Sequence, residues 1–213
     1  PETAQKAAAI LEELVTEHPD VPDFRYDLCE TYAWLISPGF LPGQASEESV
    51  AQSQALLEKA RVIAEELVAE HPNIPDYASS LVHVRLRLAA LVWQSDASTA
   101  ETYLGRARDL QQSLVRRFPQ NDSYQFGMIA INESLAAWRW EHDQLNEARV
   151  LLEDSIVSLR GMLDRDPQAG FLRGVLAHHY ANLADLLRQM DDEPAAAEAQ
   201  RQADQLRPPH RHQ

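Results

Sequence analysis

The sequence is poor in cysteine, in basic residues and in long apolar runs. A single cysteine, Cys29, excludes an intramolecular disulfide and a cysteine-based zinc site. Nineteen Lys and Arg face 33 Asp and Glu, a formal net charge of -14. Phosphate backbones and anionic lipid headgroups are therefore repelled, which argues against nucleic acid as a partner. No run of 18 apolar residues is present, so direct membrane insertion is not expected. The chain opens Pro1-Glu2-Thr3 without a basic, apolar signal segment, and reads as a soluble piece cut from a longer polypeptide. That reading favours the cytoplasm, with a place in a membrane-anchored chain as the alternative. What remains, 213 residues with 45% apolar and 24% charged side chains, suffices for one extended or two compact domains.

Glycines and prolines are also few, seven and twelve, and the prolines cluster as punctuation. His18-Pro19 and His71-Pro72 sit in nearly identical phrases, LEELVTEHPDVPDFRYDL and AEELVAEHPNIPDYASSL. Phe118-Pro119 and Asp166-Pro167 occupy the matching place in weaker copies, so that the four prolines stand 53, 47 and 48 residues apart. A period of this size implies a stacked array rather than one closed core.

Within each period the apolar spacing is helical. Phe24, Leu28, Tyr32 and Leu35 follow the first joint; Tyr77, Leu81, Arg85, Leu88 and Leu91 the second; Tyr124, Met128, Asn132, Leu135 and Trp138 the third; Leu172, Leu176, Tyr180, Leu183 and Leu186 the fourth. Steps of three and four place each set on one helix face. Second helices carry Ser53-Leu57-Ala60, Ala100-Leu104-Ala107, Ala148-Leu152-Ser155 and Ala196-Gln200-Ala203. The pattern predicts nine helices, at 1–17, 22–36, 47–70, 75–94, 98–117, 121–141, 145–165, 169–190 and 193–206. No strand pattern competes, so no phosphate loop can follow a strand. Prolines stop the helices because they cannot donate the next backbone hydrogen bond.

The last unit, Tyr180-x-x-Leu183-Ala184-x-x-Leu187 followed by Asp191, Ala196, Gln200, Ala203 and Pro208, resembles the tetratricopeptide repeat in its spacing of large, small and terminating residues. It departs at Asp191, where the family favours glycine, and at Gln200, where it favours an aromatic. Upstream units such as Leu135-Ala136 with Ala148-x-x-x-Leu152-x-x-Ser155 keep the pattern with a longer second helix. The resemblance implies an all-α, right-handed α-solenoid with lengthened helices. It implies one repeat domain over 1–208, with hairpins 22–70, 75–117, 121–165 and 169–206 behind an initial helix 1–17, and a tail at 209–213. The His-Pro phrases also look like repeats in large bacterial signalling proteins, including serine/threonine kinases and sigma-factor-associated chains.

The resemblance further implies a concave groove built from the first helix of each hairpin. Counted around each helix from its core column, that groove should be lined by Tyr26, Glu30 and Ala33; by Ser79, His83, Leu86, Ala90 and Trp93; by Phe126, Ala130, Glu133, Ala137 and Trp140; and by Gly174, His178, Ala181, Asp185 and Arg188. Aromatics beside small residues leave pockets for the side chains of a partner segment, while each ring could instead seal the next repeat. Trp93 and Trp140 are the two rings on which that choice turns.

Other chemistry finds less support. His178 and His179 are adjacent on a helix and point about 100° apart, which argues against a shared metal ion. His210-Arg211-His212 lies in a Pro-flanked tail. His18 and His71 are expected near the last carbonyls of their helices. Cys29 follows the core Leu28 and reads as a buried, inert thiol without a positioned base. Glu12-Glu13, Glu65-Glu66 and Asp191-Asp192-Glu193 read as solvated faces or turns. The loop SPGFLPGQA at 37–45 presents Phe40 and Leu41 between Pro38 and Pro42, either folded back over the first repeat or offered as a contact. Residues 1–75 hold 14 acids and 4 bases, against 19 and 15 in 76–213. This asymmetry would steer a basic or neutral partner to the first half, or serve solubility alone.

The sequence thus points to a non-catalytic scaffold, without cofactor or metal, that binds a protein or peptide partner. The alternative is a regulatory or ligand-sensing domain of a larger bacterial signalling protein.

Overall fold

The computed structural model describes residues 2–36 and 46–207. The Phe40–Leu41 loop, Pro208 and the His210-Arg211-His212 tail lie outside the described residues. Among the described residues the regular structure is helical throughout: α1 (Glu2–Glu17), α2 (Pro22–Leu35), α3 (Glu47–Glu70), α4 (Pro75–Val92), α5 (Ala97–Arg117), α6 (Asp122–Glu141), α7 (Leu145–Arg165), α8 (Gly170–Gln189) and α9 (Glu193–Leu206). Every expected helix is present, with ends that differ by two residues or fewer.

The proline joints explain that agreement. Each builds the same hydrogen-bonded turn: Val21 N–H donates to the His18 carbonyl, Ile74 to His71, Asn121 to Phe118 and Ala169 to Asp166, all at 3.0–3.1 Å. Proline sits at the second position of each turn, where its fixed φ suits the bend. Pro22 and Pro75 then open α2 and α4 in the first turn, where a missing N–H costs nothing. Other starts are capped by side chains: Ser46 accepts from Ser49 N–H, Asn121 from Ser123 and Tyr124, and Asp192 from Ala195.

The joint histidines lie beside aromatic rings. The His18 imidazole lies 6.1 Å from the Phe24 ring and His71 lies 6.0 Å from Tyr77, centroid to centroid. Phe118 and Tyr124 repeat the contact at 5.7 Å. In these three copies the turn brings residue i beside i+6, so an aromatic contact staples the joint.

The chain forms two compact units, Pro1–Arg117 and Phe118–Gln213. In the first, helices pack in chain order from α1 to α5, and α2 also touches α4. Hairpins 22–70 and 75–117 fall here. Its core joins Leu28, Cys29, Tyr32, Leu57, Leu81 and Leu88 to the small Ala60, Ala64 and Ala100. Each buried leucine contributes about 1.5–3 kcal/mol, and the alanines let helix axes approach. In the second unit α6 packs on α7, α7 on α8 and α8 on α9, with hairpins 121–165 and 169–206. Ile131, Leu135, Trp138, Leu159, Leu183 and Leu186 are buried in it.

Two acids expected on solvated faces also link helices of the first unit, Glu12 while remaining exposed. Glu12 on α1 accepts the Tyr32 hydroxyl of α2 and lies 3.6 Å from Lys59 of α3. Glu65 on α3 binds Arg61 and reaches Arg85 of α4 at 2.9 Å. Partners from neighbouring helices, distant in sequence, convert these charges into interhelical links.

Candidate functional site

In the first unit the side chains of α2 and α4 that face away from the core form one surface. On α2, Asp23, Asp27, Glu30 and Trp34 are exposed at i, i+4, i+7 and i+11, a continuous helical stripe. On α4, Asp76, His83 and Ala90 are exposed at heptad spacing. Between the helices lies a cleft of about 230 Å³ lined by Glu30, Ala33, Trp34, Ile36, Ser80, His83, Val84 and Arg87. Trp34 is 72% exposed, an unusual outlay of a large ring on a surface.

Buried groups below hold this cleft in shape. The Ser80 hydroxyl donates to Glu30 and lies 3.4 Å from the Cys29 sulfur. Arg87 donates to the carbonyl oxygens of Ala33 and Ile36, satisfying the otherwise open C-terminal end of α2. Higher on the same face the Tyr26 and Tyr77 rings meet at 5.3 Å. Burial, followed by the Glu30 and Asp76 carboxylates, raises the Tyr26 phenol above its ordinary pKa. Leu86 and Trp93 are half-buried on α4, Trp93 directly after the last helical residue.

The second unit repeats the arrangement between α6 and α8. Phe126 and Phe171 approach to 5.8 Å, the Glu133 carboxylate stands 3.1 Å from His178 Nε2, and the Trp140 indole N–H donates to Gln189. These contacts descend the two helices in order. Asp185 pairs with Arg188 one turn below. Ala130, Ala137 and Gly174 are exposed between the larger groups and keep the surface low.

All eighteen residues placed in the groove from the sequence lie outside the cores, among them Tyr26, Glu30, His83, Leu86 and Trp93 in the first unit and Phe126, Glu133, Trp140, His178, Asp185 and Arg188 in the second. The cleft itself brings together three of them, Glu30, Ala33 and His83. Sequence reasoning missed Trp34, Ser80 and Arg87 as lining residues, and it missed Phe171 opposite Phe126. The spacing from Asp23 to Trp34 was the available signal.

A second hollow, about 520 Å³, runs along α3 over Tyr32, Ala55, Val62 and Ile63. Its rim charges are engaged: Glu58 binds Arg61 and the Tyr103 hydroxyl, and Lys59 lies 5.4 Å above the Tyr32 ring. It offers apolar contact but little selectivity.

Cys29 is fully buried, and that burial pushes its thiol up to about 11. His179 is buried, with Nδ1 3.0 Å from the Val175 carbonyl oxygen, whereas His178 faces outward, so the adjacent imidazoles diverge with planes at 86°. Among the described residues no helix is long and apolar enough to cross a membrane.

No protein-family model matches the chain, and no curated protein sequence matches it. Solved structures do. A thermophilic TPR protein from Thermus thermophilus superposes with a TM-score of 0.51 at 17% identity, covering 97% of this chain and 84% of that one. BtubC (BKLC) from P. vanneervenii matches with a TM-score of 0.50 at 13% identity, covering 100% of this chain and 94% of that one. Similarity at this level of identity speaks to fold, and it agrees with helices packed in chain order and with the repeated proline joints. The chain has the all-α, tetratricopeptide-like solenoid fold.

Proposed function

We propose that the protein is a non-catalytic interaction module that binds a peptide or helix of a partner protein on the outward faces of its first-of-hairpin helices, α2 with α4 and α6 with α8. The observation that carries this reading is Trp34, 72% exposed at the edge of a cleft walled by Glu30, Ala33 and His83. A rigid aromatic beside small and polar groups supplies contact area at low entropic cost. The cleft, about 230 Å³, is smaller than the roughly 300–1,000 Å³ of small-molecule sites, so at this face a segment laid along the helices is favoured over a small ligand.

Panning a random peptide library on the purified chain tests this. Selected peptides should lose at least about tenfold in affinity on Trp34→Ala while the circular dichroism spectrum is unchanged. Trp138→Ala provides the contrast: Trp138 is buried, so its loss should lower the melting temperature. Selected peptides that bind Trp34→Ala and wild type equally would remove the α2–α4 face from the proposal.

A further inference from the structure

Resting on that reading, we propose that the α2–α4 face takes a basic segment: a helical stretch of a partner with Lys or Arg along one side and a bulky apolar residue at the end that meets Trp34. The stripe on α2 presents three carboxylates, Asp23, Asp27 and Glu30, before it reaches the indole of Trp34. Asp76 adds a fourth from α4. Spanning i to i+11 at 1.5 Å per residue, the stripe is about 16 Å long, matched by about three turns of a partner helix.

Cations on these two helices do not offset it. Arg25 is held by Glu70 at the end of α3, Arg85 by Glu65, and the guanidinium of Arg87 is turned into the fold against the Ala33 and Ile36 carbonyls. Residues 1–75 as a whole carry 14 acids and 4 bases. An acidic or phosphorylated segment covering Trp34 would have to desolvate like charges side by side, whereas a basic one neutralises them as it buries the ring. The same sign argument disfavours a second copy of this chain, whose net charge is also -14.

The test uses three fluorescein-labelled, alanine-based peptides of about 15 residues, a length at which helix can form on a surface. One carries lysine at i, i+4 and i+7 with leucine at i+11; the others replace lysine by glutamate or by glutamine. Fluorescence anisotropy against the whole chain should show the lysine peptide binding at least about tenfold more tightly than the glutamine peptide and weakening as salt rises. Trp34→Ala should weaken it about tenfold, and Asp27→Asn with Glu30→Gln should bring it to the level of the glutamine peptide. Equal or tighter binding of the glutamate or glutamine peptide, still lost in Trp34→Ala, would overturn the basic preference and leave the docking face standing. Failure of the lysine peptide to bind, or binding unaffected by both variants, would overturn the site.

Discussion

Cys29 and Ser80 meet at 3.4 Å across the α2–α4 contact, and because the Ser80 proton is given to Glu30, the thiol donates, with the Ser80 oxygen and the Ala60 carbonyl oxygen both in reach at 3.4 Å. The pair separates the cleft from the core: carboxylate and hydroxyl above, sulfur and apolar side chains below.

Alkaline behaviour follows. Burial raises the Cys29 thiol from 9.0 to about 11, so between those values the unfolded chain has released a proton that the folded chain retains. Stability must then fall as pH rises from 9 to 11, by on the order of 2 kcal/mol from this group. Tyr103, pushed up to about 12 by burial and by the Glu58 carboxylate, acts in the same direction at higher pH. Urea titrations at pH 8, 9.5 and 11 should show the decline, and Cys29→Ala should flatten its lower part. An aromatic disulfide reagent should label Cys29 rapidly only in denaturant; native labelling at the denatured rate would refute its burial.

Asp143 and Asp191 lie in left-handed backbone, at φ 58 and 60. Each occupies the turn after a first-of-hairpin helix, where Gln144 N–H reaches the Arg139 carbonyl and Asp192 N–H reaches that of Leu187, the closing bond of a helix C-terminal motif. Aspartate is tolerated here where glycine is free of strain. Asp191→Gly should therefore be more stable than Asp191→Ala by about 1 kcal/mol, read from chemical denaturation. Equal stabilities would mean the turn relaxes without cost.

Core leucines should dominate the mutational response. Leu88 is fully buried and Leu183 nearly so. Truncation of either to alanine should cost about 2–5 kcal/mol, whereas Trp34→Ala should change stability by less than about 0.5 kcal/mol. Comparable losses at Trp34 and Leu88 would show that the indole supports the fold rather than a partner.

The fold was legible because its period is punctuated. Pro19, Pro72, Pro119 and Pro167 terminate helices by a local mechanism, and the column Leu28, Leu81, Met128 and Leu176 stands nine residues after each of them, so helix ends and core faces could be counted. The cleft was only half legible. Glu30 and His83 follow from counting around each helix, but Trp34 sits one residue beyond Ala33, and its exposure depends on where α2 ends and α4 approaches. Arg87 reaches back 54 residues to the Ala33 carbonyl, and Ser80 reaches back 50 to Glu30. Links of that range leave no periodic mark. The ring beside each joint histidine was not legible for the opposite reason: it is local, at i+6, yet only the turn geometry brings it beside residue i.

The most direct measurement of the central claim is amide hydrogen exchange on the whole chain with and without a library-selected peptide. Docking on the α2–α4 face predicts slowed exchange in residues 22–35 and 75–92, with α3 and α5 unchanged and the effect absent in Trp34→Ala. Slowing confined to α3 or α5, or protection that persists in Trp34→Ala, would contradict it.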